Sequence, residues 1–252
     1  MRALRFVLLL AVVALVPALA LLPTTSWAFT PGAGIAGTPH DFSGKSASTG
    51  FTTGLCTFCH TPHKAIQTLL LWNHTLSKNT FSWDVPATTA GTKFPTFKGD
   101  TYKGPTAKCL SCHDGTVAIG DVAWFGEAKP SVIDDTKHDS GSANIASTTG
   151  SMAGNHPVAM PYPYNNAKNT YNGTTTGDAA YLTEWQATPL ANIRIFNDNG
   201  GDITAGAVAG KTGIECSSCH DPHNKLAVDD LFLRGKISGS DTNYICLKCH
   251  IK

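Results

Sequence analysis

Apolar residues are spread unevenly along this 252-residue chain. The longest apolar run is Phe6 to Leu22, preceded by Arg2 and Arg5 and followed by Ser26-Trp27-Ala28. A positive start, an apolar stretch and a small-x-small ending predict a secretory signal peptide over 1–28. Read instead as a membrane anchor, the run is at the short limit for a spanning helix and carries Pro17. Beyond it the periodicity is weak. Pro62 to Trp72 predicts a helix, with Pro at the first turn and good formers after it. Leu226 to Arg234 predicts a short helix ended by Gly235. Residues 117–125 and 191–196 read as strands, and 139–155 and 163–178 as turn-rich runs. No heptad or long alternation occurs.

Composition explains the thin pattern. Charged residues are only 15% of the chain, while Gly, Thr, Ser and Asn are abundant, a mixture that favours turns over regular elements. Loss of residues 1–28 removes two arginines, so the formal charge moves from +1 to −1. No basic patch remains to attract nucleic acid, and no later segment is apolar enough to span a membrane.

The eight cysteines change the picture. They fall as Cys56-Thr57-Phe58-Cys59-His60, Cys109-Leu110-Ser111-Cys112-His113, Cys216-Ser217-Ser218-Cys219-His220 and Cys246-Leu247-Lys248-Cys249-His250. Each is C-x-x-C-H, the attachment signature of haem c. Two thiols must reach two vinyl groups on one porphyrin edge, and the next residue then presents an imidazole to the iron. With histidine at 10 of 252 positions, four chance matches after four cysteine pairs have odds of about one in a few hundred thousand. Cysteine pairs also build structural zinc sites, and exported chains form disulfides, but neither requires a histidine after every pair. The expected cofactors are four covalent haem c groups with their iron, with His60, His113, His220 and His250 as proximal ligands.

Six histidines remain, against Met152 and Met160 in the mature chain, so histidine is the better-stocked supplier of the second axial ligand. His63 and His223 follow a proximal histidine by three residues in matching runs, His60-Thr61-Pro62-His63 and His220-Asp221-Pro222-His223. Side chains three apart on a helical turn share a face, whereas the axial nitrogens of one iron approach from opposite sides. Each is therefore placed to serve a neighbouring haem. His156, in Gly154-Asn155-His156-Pro157-Val158, and His40, in Thr38-Pro39-His40-Asp41-Phe42, are the next candidates. His74 and His138 are held in reserve.

The runs Cys56 to His63, Leu71-Trp72-Asn73, Cys109 to Val117, Asn155-His156-Pro157-Val158 and Cys216 to His223 resemble the paired C-x-x-C-H multihaem cytochromes. Within that group the chain is similar to the tetrahaem subunits of extracellular cytochrome filaments. The resemblance implies a mostly irregular, coil-rich multihaem cytochrome fold, with few short helices, short strands and haems as the core. It also implies bis-histidine irons in one stack, with His40, His63, His156 and His223 at the distal positions. Partners would be further copies of the chain, with a distal histidine lent between subunits, and other multihaem cytochromes. His40, in a mobile leader, is the expected donor. The expected organisation is a signal peptide at 1–28 and a tetrahaem domain at 29–252. That domain divides into leader and first two motifs at 29–113, a cysteine-free insertion at 114–215 and the last two motifs at 216–252. Electron transfer outside the cytoplasm, at the cell surface or in the periplasm, is the implied function. A redox enzyme would need an open iron position, which the spare histidines suffice to close.

Overall fold

The computed structural model describes residues 29–43, 54–61, 63, 65, 69–83, 96–116, 122–124, 127–129, 144–147, 149–162, 185–198, 202–206, 208 and 212–251. The signal-peptide segment 1–28 and His138 lie outside the described residues. Among those described, no helix is long and apolar enough to cross a membrane.

Regular structure is short and sits beside the C-x-x-C-H runs. Helix α1 (Pro105–His113) carries the whole second motif. It starts after Gly104, whose extended backbone hands the chain to Pro105, where a missing N–H costs nothing. Helix α2 (Cys216–Cys219) is a single turn within the third motif, and Ile245–Lys248 forms a 3₁₀ turn within the fourth. Strands β1 (Thr80–Phe81) and β2 (Phe97–Lys98) pair antiparallel, as do β3 (Val122–Trp124) and β4 (Glu127–Lys129). The largest sheet is antiparallel and joins β5 (Met160–Pro161), β6 (Phe196–Asp198), β7 (Ile203–Ala205) and β8 (Thr212–Ile214) in the order β5-β8-β6-β7. Strand β8 leads directly into Glu215 and the third motif, and β5 follows the His156 loop, so the sheet brings insertion residues against the last two motifs.

Small apolar clusters support this frame among the described residues. Phe81, Phe97, Leu110, Ala146, Met152 and Ala159 pack beneath α1. Met160, Tyr162, Ile195 and Ile214 pack under the sheet. Both mature-chain methionines are thus buried as core side chains.

The expected helix at 226–234 is replaced by turns, and of the expected helix at 62–72 residues 62, 64 and 66–68 lie outside the described residues. Leu69–Leu71 is one 3₁₀ turn in which Leu70 and Leu71 have φ of 61° and 52°. Leu231 and Phe232, in the second expected helix, have φ of 57° and 60°. Left-handed backbone costs a branched residue about 1–2 kcal/mol, so something must hold these turns open.

Phe81 has no exposed surface and contacts Phe97 at 5.2 Å between ring centres. Phe81→Ala is expected to cost about 3–5 kcal/mol, read as a lower urea midpoint. A loss below about 1 kcal/mol would mean that this aromatic cluster does not carry the frame.

Candidate haem-binding site

What holds the left-handed turns is the histidine of the preceding motif. Leu70 directs its carbonyl at His60 Nδ1, 2.7 Å away, and Leu231 directs its carbonyl at His220 Nδ1, 2.6 Å away. A carbonyl can only accept, so Nδ1 carries the proton and Nε2 keeps its lone pair for a metal. His40 Nδ1 lies 3.3 Å from the Pro222 carbonyl and His156 Nδ1 lies 2.9 Å from that of Pro157. Burial above all holds His220 below its ordinary value and so favours the neutral imidazole.

The first and third motifs are built alike. Thr61 N donates to the Leu71 carbonyl and Asn73 N to that of Cys59; Asp221 N donates to the Phe232 carbonyl and Arg234 N to that of Cys219. His60 bridges Trp72 as His220 bridges Leu233. The sequence echo of H-x-P-H therefore extends into a repeated set of backbone hydrogen bonds and bridges at the described residues.

Three pairs of imidazoles face each other across this assembly. Ring centres are 6.2 Å apart for His60 and His223, 6.0 Å for His40 and His113, and 6.4 Å for His156 and His250. A ligating imidazole nitrogen sits about 2 Å from its metal and about 1.1 Å from its own ring centre, so two imidazoles on one iron stand roughly 6.2 Å apart. The residues fit a bis-histidine iron, each pair joining a C-x-x-C-H histidine to one from elsewhere in the chain. His63 is exposed on the turn after the first motif. His74 is fully buried, with Phe58 at 4.9 Å and Trp72 at 5.5 Å between ring centres.

The leader is tied down. Asn224 Nδ2 donates to the carbonyls of Thr30 (2.9 Å) and Gly34 (2.8 Å), and its Oδ1 accepts from Gly32 N (3.0 Å). His40 stacks on Phe232 at 4.7 Å and so reaches His113 of its own chain. The fourth motif is fastened by the insertion, through Gln186 N to the Cys249 carbonyl and Leu190 N to that of Lys248, each 2.8 Å.

The cysteines of successive motifs lie close together. Burial pushes the Cys59 thiol up to about 12, and neighbouring Cys112 adds to the shift. Interaction between Cys109 and Cys216 raises the first thiol and lowers the second. Burial pushes Cys219 up to about 11, with Cys216 and Cys246 adding. None of the eight is in a disulfide. Among the described residues no three His, Cys, Asp or Glu side chains converge on one point, as a four-donor zinc site demands.

Residues 207–252 match the family described as a doubled CXXCH motif. This segment marks a haem c-binding protein. Covalent haem c carries with it iron binding, electron transfer and export from the cytoplasm, where the attachment is made. No curated protein matches the chain.

Several supporting residues escaped the sequence reading. Asp114 is fully buried behind His113 and accepts from Ser77, Asn79, Thr116 N and the Thr116 hydroxyl. Trp72 Nε1 donates to Ser111 in the second motif, 3.1 Å away. Glu215 is buried between the second and third motifs, accepting from Tyr102 Oη (2.5 Å) and Thr106 N (3.0 Å), while Cys216 N donates to Thr106 Oγ1 (3.1 Å). The signal for α1 was available in Gly104-Pro105 followed by Thr-Ala-Lys. A carboxylate capping a helix more than 100 residues away in sequence left no local trace.

Burial lifts the Glu215 carboxyl from an ordinary 4.5 to about 7, against the pull of its hydrogen bonds from Thr106 and Tyr102. The folded chain then binds a proton that the unfolded chain has released. Stability is expected to fall as pH rises from about 4.5 through 7 and to level off above, a loss of roughly 3 kcal/mol. Urea titrations across that window should show the slope in the native chain and not in Glu215→Gln. Equal slopes would place its source elsewhere.

Proposed function

We propose that this chain is an exported electron relay carrying four haem c groups, each iron held between two imidazoles. The observation that carries the reading is the set of three histidine pairs at 6.0–6.4 Å, each anchored on a different C-x-x-C-H motif. On this reading His223 serves the first motif, His40 the second and His156 the fourth, as the paired ring distances support. The repeated backbone supplies the remaining partner. His63 stands to the first motif as His223 stands to the third, and His223 crosses to the first, so His63 crosses to the third.

Haem c supplies a reversible one-electron couple. The polypeptide fixes the tautomer of the ligating rings through backbone carbonyls, closes both axial positions and sets the motifs side by side. With no position open to a substrate, the chain is a conductor and not an enzyme. Bis-histidine ligation lacks the potential-raising effect of methionine and favours low potentials. The thiols of successive motifs act on one another electrostatically, Cys59 with Cys112, Cys109 with Cys216 and Cys219 with Cys246, which supports a path through the motifs in sequence order.

The resemblance to filament-forming cytochromes extends this proposal to end-to-end assembly of copies outside the cell. His40 serves its own chain in this reading, because lending it would detach the leader from Asn224 and Phe232. Electron microscopy of the secreted protein tests the extension: filaments are expected, and dispersed particles would return the chain to the role of a periplasmic carrier.

The mature protein should weigh roughly 2.5 kDa more than its polypeptide, for four haems at one per motif, and its ferric spectrum should be low-spin throughout. A missing increment in the mass spectrum ends the four-haem reading. His223→Ala and His63→Ala should each convert one haem to a high-spin form that binds carbon monoxide when reduced. A wholly low-spin His63→Ala protein would remove His63 from the ligand set.

A further inference from the structure

The first and third motifs share a backbone but differ at one buried position. Asn73 and Arg234 occupy the same place: each main-chain N–H donates to the carbonyl of the motif's second cysteine, at 3.0 and 2.8 Å. Their side chains also match, Asn73 Nδ2 donating to the Thr57 carbonyl (2.8 Å) and Arg234 Nε to that of Ser217 (3.2 Å). The neutral amide of one site is thus a guanidinium in the other. The Arg234 side chain is only 2% exposed. Its Nη2 faces Asp221 Oδ1 at 3.5 Å, and its buried Nη1 has no hydrogen-bond partner among the described residues. Asp221, which replaces Thr61 of the first site, is shared among three backbone donors: His223 N (3.3 Å), Lys225 N (2.9 Å) and Leu226 N (2.6 Å). Those three amide dipoles offset part of the carboxylate charge, so the ion pair leaves the guanidinium incompletely neutralised.

We propose that Arg234 is a positioning and tuning residue that makes the haem of the third motif easier to reduce than the haem of the first. The inference rests on the reading that both motifs carry haem. An electron added to an iron is stabilised by a fixed positive charge close by, and the more so where water is excluded. A unit charge about 10 Å away at an effective dielectric constant near 20 changes a reduction equilibrium on the order of tenfold. Asn73 exerts no such field, so duplicated sites acquire different potentials and the relay acquires a downhill step between them.

The test uses the full-length, haem-loaded protein. Potentiometric titration is followed through haem methyl resonances assigned by their contacts with His220 ring protons. Arg234→Asn is expected to lower the potential of that haem by about tenfold in its equilibrium, about 59 mV for one electron. Asp221→Asn should raise the same haem, and Arg234→Lys should hold it near the native value. Shifts of one sign in both charge-removing variants, a shift spread equally over all haems, or no shift would each overturn the proposal. Should Arg234→Asn fail to fold, the reciprocal Asn73→Arg in the first site must raise that haem instead, and an unmoved potential there overturns it equally. Haem attachment read by mass keeps the two readings apart. Native protein short of haem defeats the four-haem reading, whereas full attachment with unmoved potentials defeats only this inference.

Discussion

An imidazole can hold an iron only along the lone pair of one ring nitrogen, and much of the described polypeptide is arranged to aim that lone pair. Fixing the proton on Nδ1 requires an acceptor at the far side of each ring. In the first and third motifs that acceptor is a carbonyl from a turn 10 and 11 residues downstream. The turn reaches the ring only by passing through left-handed backbone at two consecutive large apolar residues. Strain of about 1–2 kcal/mol per residue is tolerable because the bridges at Trp72 and Leu233 pin the chain immediately after it. Orientation of the ligand is thus the cause of the unusual local structure.

The same constraint explains why buried polar hubs stand where a larger protein would have a continuous apolar core. Asp114, Asp221, Asn224 and Glu215 each gather several donors from separate segments. A turn-rich chain has many backbone groups that no helix or sheet satisfies, and a buried N–H without a partner is costly. One carboxylate accepting from three amides settles a whole turn at once. The apolar clusters beneath α1 and the sheet are correspondingly small.

The chemistry of this chain was legible in its sequence while its local geometry was not. Spacing identified every C-x-x-C-H motif, and the repeated H-x-P-H singled out His63 and His223. The residues around them misled, because Leu69-Leu70-Leu71 and Leu231-Phe232-Leu233 have ordinary helical composition. Propensity is a weak prior that a tertiary demand overrides, and the demand here is a carbonyl aimed at a ring some ten residues back. The leader read as mobile because it is rich in Gly, Ser and Thr. Its anchor is Asn224, about 190 residues away, and composition carries no sign of such a partner. Pro105 did announce α1, a signal masked by the cysteines that follow it.

Duplication and insertion act on this frame in opposite ways. The duplicated runs give two sites with one backbone, and exchange of Asn73 for Arg234 changes the field at one without disturbing the turn that orients its histidine. The insertion contributes what the fourth motif does not contain. It brings His156 opposite His250, sets Trp185 tilted against the same ring at 4.5 Å, and fastens the Cys249 and Lys248 carbonyls through Gln186 and Leu190. Strand β5 joins β8 so that the His156 loop and the start of the third motif enter from one sheet. A long segment without cysteines is therefore part of the site, because the loop that carries His156 is held in place by the sheet.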